Sequence, residues 1–77
     1  ATQLRFGLVS AAHAEVALYD AGGRRVRMLH AGVLEAGEHA LQWDGRDDAE
    51  HDAPAGLYFA RCRVGGDVRQ LRIVRTR

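Results

Sequence analysis

The sequence predicts an all-β fold of about six to seven short antiparallel strands, closed as a sandwich or a small barrel, on three observations. Apolar residues recur with period two in short bursts, as they do in strands with one buried face. Glycine and aspartate clusters separate the bursts, with nine glycines against one proline. No segment carries a sustained helical stripe of apolar residues.

The elements follow in order. Leu4, Phe6 and Leu8 share one face of a first strand while Arg5 points away, and Val16 and Leu18 mark the buried face of a second. Asp20-Ala21-Gly22-Gly23 has the composition of a tight turn. A third strand over 24–30 alternates Val26 and Met28 against Arg25 and Arg27. A fourth, over 38–44, carries Leu41 and Trp43 inward, with His39 at alternate spacing and partly buried. Asp44-Gly45-Arg46-Asp47 ends it, and an acidic loop runs on through Asp52.

Pro54-Ala55-Gly56 leads into the strongest strand, 57–64, which Gly65-Gly66 turns back into a last strand over 68–74. A two-residue hairpin turn fixes the register of its strands. It sets Tyr58 opposite Ile73, Ala60 opposite Leu71 and Cys62 opposite Arg69 on a mostly apolar inner face. Leu57 with Val74, Phe59 with Arg72 and Arg61 with Gln70 make the outer one.

Length and charge narrow the functional classes. A chain of 77 residues has room for one domain and one modest core, too little for a deep substrate cavity. The net charge of +1 is too small for the sustained positive field that binds nucleic acid or an anionic membrane. All eleven basic residues are arginine. The single cysteine excludes an internal disulfide and a CxxC pair, and no apolar run is long enough to span a bilayer.

No catalytic or cofactor-binding constellation stands out. His13, His30, His39 and His51 lack the i, i+4 spacing of a helical zinc site. Asp44, Asp47, Asp48, Glu50 and Asp52 are the best candidate for a hard cation, yet Arg46 sits where a second ligand belongs and Ala49 replaces the turn glycine of a calcium loop. A solvated turn is the expectation there. Ser10 and Cys62 have no supporting base or motif, and Cys62 reads as a small buried hydrophobe. The chain is expected to be no enzyme and to take no cofactor or metal.

The outer face of the last hairpin is the candidate interface. Arg61, Arg63 and Arg72 form a basic stripe there, beside the apolar Leu57, Phe59 and Val74. Arginines on a sheet face keep it soluble and discourage edge pairing. Apolar residues left uncovered among them mark a surface for protein partners.

A set of motifs in fixed order carries a family resemblance. It comprises Leu4-Arg5-Phe6, Val16-Ala17-Leu18-Tyr19-Asp20, Gly23-Arg24-Arg25-Val26, Ala36-Gly37-Glu38-His39, Trp43-Asp44-Gly45-Arg46-Asp47 and Pro54-Ala55-Gly56-Leu57-Tyr58-Phe59. The chain resembles the immunoglobulin-like domain of the bacterial flagellar hook-capping protein and is similar to the C-terminal sorting domains of type IX secretion. Ala55 departs from a position where the family often has serine, and Cys62 from one where an aliphatic is usual.

The motif positions have physical roles. Asp20 accepts hydrogen bonds from its own turn, and Gly23 permits the reversal. Trp43 fills the space between sheets, Asp44-Gly45 turns the chain after it, and Tyr58 buries its ring while its hydroxyl reaches a partner. Asp47 and Gly56 complete the set.

The resemblance implies an immunoglobulin-like β-sandwich over 1–77, serving as the C-terminal module of a longer exported precursor at the cell surface or outside the cell. It implies no catalytic residues. The first expectation is a sorting or surface-attachment module that meets secretion machinery or parent domains. The alternative is a subunit or decoration of an extracellular filament or cap, in contact with neighbouring subunits or copies of itself. A carbohydrate-binding accessory module ranks third, because exposed aromatics are few.

Overall fold

The structure, a computed structural model, describes residues 2–76. Six strands run in chain order: β1 (Thr2–Leu8), β2 (Ala12–Asp20), β3 (Arg25–Leu34), β4 (Gly37–Trp43), β5 (Gly56–Val64) and β6 (Asp67–Arg75). They form two antiparallel sheets, β1-β4 and β3-β2-β5-β6, with no helix among the described residues. This is the all-β sandwich that the alternation predicts. β4 approaches β3 along one side of the sandwich.

Alternation decides what fills the middle. Leu4, Val16, Leu18, Trp43, Tyr58, Ala60, Cys62 and Ile73 are buried together with Ala53, and Phe6, Val26, Leu29 and Leu41 pack around them. Each of these residues removes apolar area from water at about 25 cal/mol per Å². Trp43 is the largest fully buried side chain of that core.

The β5–β6 hairpin has the anticipated register throughout, from Leu57 opposite Val74 to Arg63 opposite Val68. Gly65 has φ 57° and Gly66 is not among the positive-φ glycines, the pattern of a type II′ turn. That turn matches the right-handed twist of the strands it joins, and glycine is the residue that takes its first central position.

The third strand departs from expectation. It runs on to Leu34, past residue 30, because Ala12 to Glu15 of β2 pair with Leu34 to Ala31. The expected sharing of one face by Val26 and Met28 is also wrong. Two register shifts in the β2–β3 pairing leave Leu29 and Val26 as extra residues, while Met28 lies opposite Ala17 and Arg25 opposite Tyr19. Each such bulge resets the alternation by one residue. Val26 and Leu29 therefore reach the core, and Met28 turns to the outer face with Arg25.

Candidate protein-docking face

The end of the sandwich that follows β4 is built around Trp43. Its Nε1–H donates to Arg46 O at 2.9 Å, its ring meets Tyr58 edge-on at 5.1 Å, and the Arg75 guanidinium lies 5.6 Å from its centroid. Tyr58 donates its hydroxyl to Pro54 O, so the buried ring keeps a satisfied polar tip. Arg75 also donates to Ala53 O at 3.0 Å. Gly45 follows with φ 84°, and a Cβ there would stand 2.5 Å from Arg75 Nη1. The backbone favours glycine here, and any larger residue would also push the Arg75 guanidinium aside.

The other motif residues also serve the fold. Asp20 Oδ1 accepts from the N–H groups of Gly22 and Arg24, and Gly23 N–H donates to Asp20 O, closing the β2–β3 turn. The Arg24 amide is the main influence holding the Asp20 carboxyl below its ordinary pKa. Asp44 Oδ1 accepts from Arg46 N–H. Asp47 Oδ1 accepts from Ala49 and His51 N–H and so shapes the acidic loop. Gly56 opens β5.

The loop carboxylates are turned toward protein donors. Arg25 lies 3.4 Å from Asp48, Arg27 lies 3.6 Å from Glu50, and Arg46 lies 3.6 Å from Glu50 and 3.8 Å from Asp52. Among the described residues, no three histidine, cysteine or acidic side chains converge as metal ligands would. The loop instead covers the β3 edge, with Asp48 N–H donating to Val26 O and Met28 N–H to Asp48 Oδ1. Cys62 sits on the inner face of β5, 8% exposed, and burial raises its thiol pKa.

The two outer faces of the sandwich differ in chemistry. Gln3 opposite Gln42, Arg5 opposite Ala40 and Gly7 opposite Glu38 make the small sheet polar outside. On the four-stranded sheet, Leu57, Phe59, Arg61, Arg63, Arg72 and Val74 come together on one outer face, as anticipated. Val74 is 66% exposed, and Leu57, Val68 and Val33 are exposed with it. Four large aliphatic side chains thus stand uncovered on the same sheet face.

Tyr19, missed in the sequence, lies on this face near the end of β2. It pairs with Phe59 across β2 and β5, and the Arg61 guanidinium covers its ring at 5.0 Å. The signal was available, because Tyr19 stands one residue out of phase with Leu18. Val68 was missed in the same way, one step beyond the pairs read from the turn. The arrangement combines aliphatic area, two half-buried aromatic rings and planar cations, the composition of a protein-docking patch.

Residues 1–62 match the family model described as the FlgD Ig-like domain. The chain belongs to the FlgD Ig-like domain family. Its fold is similar to the crystal structure of FlgD from P. aeruginosa, with a TM-score of 0.68 and 26% identity over 91% of this chain. The FlgD Ig-like chain spans 55% of that structure's length. No curated protein matches it. These likenesses carry the hook-capping side of the resemblance and not the type IX sorting side.

Proposed function

We propose that this FlgD Ig-like domain is a non-catalytic structural module of a flagellar hook cap, working outside the cell within a longer exported protein. It docks on neighbouring protein subunits through the outer face of its four-stranded sheet. The asymmetry between the two outer faces supports this reading: one is polar, while the other exposes Leu57, Val74, Val68 and Val33 around Tyr19, Phe59 and Arg61. Large aliphatic side chains left exposed on one sheet face, beside aromatic rings and arginines, are features of interaction surfaces. A glycan-binding role has less to work with, because Trp43 and Tyr58 are held in the core.

The filament-cap reading is tested in a flagellated host that expresses the parent protein carrying Phe59→Glu and Arg61→Glu. The variant should be exported and keep the circular dichroism of the wild type, while electron microscopy shows hooks missing or stunted. Hooks of normal length and number would refute the docking face.

A further inference from the structure

The four-stranded sheet has two edges, and they are treated differently. The β3 edge is covered at Val26 and Met28 by Asp48 of the acidic loop. The β6 edge is bare. Val64 and Asp67 close the type II′ turn as a hydrogen-bonded pair, so the odd-numbered residues of β6 bond to β5 and the even-numbered ones face outward. Among the described residues, nothing bonds to the main chain of Val68, Gln70, Arg72 or Val74 on that side. An uncovered edge of this length is a template for strand addition.

The side chains along the edge specify what could add. Leu71 points to the inner face, opposite the fully buried Ala60, yet it is 45% exposed. Arg69 and Arg72 stand on opposite faces of the strand, and neither forms an ion pair among the described residues. Two copies of β6 laid together would bring these arginines near each other, and like charges across strands oppose pairing. We propose that the β6 edge takes up an extended acidic segment of another protein as a fifth, antiparallel strand. Its apolar residues would cover Leu71 and Val74, and its carboxylates would meet Arg69 and Arg72. This inference stands whether or not the outer face serves a hook cap.

The test uses the 77-residue chain and two synthetic peptides, VVEITEV, written to lie opposite Val74 through Val68, and VVRITRV. The acidic peptide should bind and slow hydrogen exchange at the amides of residues 68, 70, 72 and 74. The arginine peptide should bind about ten-fold more weakly. Arg69→Glu with Arg72→Glu should reverse that preference. Gln70→Pro removes only an outward N–H and should abolish binding with the fold intact by circular dichroism. Equal affinity for both peptides, no binding of the acidic one, protection elsewhere, or self-association that protects the same amides without peptide would each overturn the proposal.

Discussion

Trp43 and Tyr58 meet edge-to-face, with ring centroids 5.1 Å apart and planes inclined at 66°. The contact joins the end of β4 to the start of β5 and so links the two sheets. In a domain this small the total stability is only a few kcal/mol. Trp43→Ala, which removes the largest buried side chain, should cost about 3–5 kcal/mol and leave the chain largely unfolded at room temperature. Tyr58→Phe keeps the ring and loses the bond to Pro54 O, for about 1 kcal/mol. Urea denaturation followed by tryptophan fluorescence measures both.

Gly45 and Gly66 separate conformational need from simple space. Gly45 combines φ 84° with a Cβ position that meets the movable guanidinium tip of Arg75, whereas Gly66 has no neighbour within 4 Å of its Cβ position. Gly45→Ala should destabilise by about 2 kcal/mol or more. Gly66→Ala should shift stability by less than about 0.5 kcal/mol. Equal thermal midpoints for the two variants would contradict the left-handed backbone at Gly45.

The Asp20 carboxyl gives a pH signature. Its pKa is lowered from 3.8, chiefly by the Arg24 amide. A group depressed in the folded state contributes stability above its unfolded value and loses it as pH falls through the folded one. Wild type should therefore exceed Asp20→Asn in stability at neutral pH, with the gap closing below the ordinary carboxylate range. A gap that widens on acidification would reverse the assignment.

Cys62 should be inert in the native chain. It is buried on the inner face, and burial pushes its thiol pKa up, so little thiolate is available for attack. Labelling with a thiol reagent should proceed only through opening of the sandwich. The rate should rise with urea in step with unfolding.

The sequence revealed unequal amounts of this architecture. The β5–β6 register was legible because two adjacent glycines set the turn and clean alternation did the rest. β3 was not, because Val26 and Leu29 bulge, and a bulge erases the period that the reading depends on. The face of Leu71 was readable from its pairing with Ala60. Its exposure was not, since pairing tells which way a side chain points and not what lies above it. The shared outer face of Leu57, Phe59 and Val74 was legible from the hairpin register, while Tyr19 was overlooked beside a strong core signal at Leu18.

The central claim is that the outer face of the four-stranded sheet docks on protein, and site-specific photo-crosslinking in growing flagellated cells tests it most directly. A photoreactive residue is placed at Phe59, and for comparison at Arg5 on the polar outer face of the small sheet. Crosslinks from position 59 to hook or cap subunits, with few from position 5, are the predicted result. Equal crosslinking from both positions, or none from position 59 in cells that build normal hooks, would contradict it.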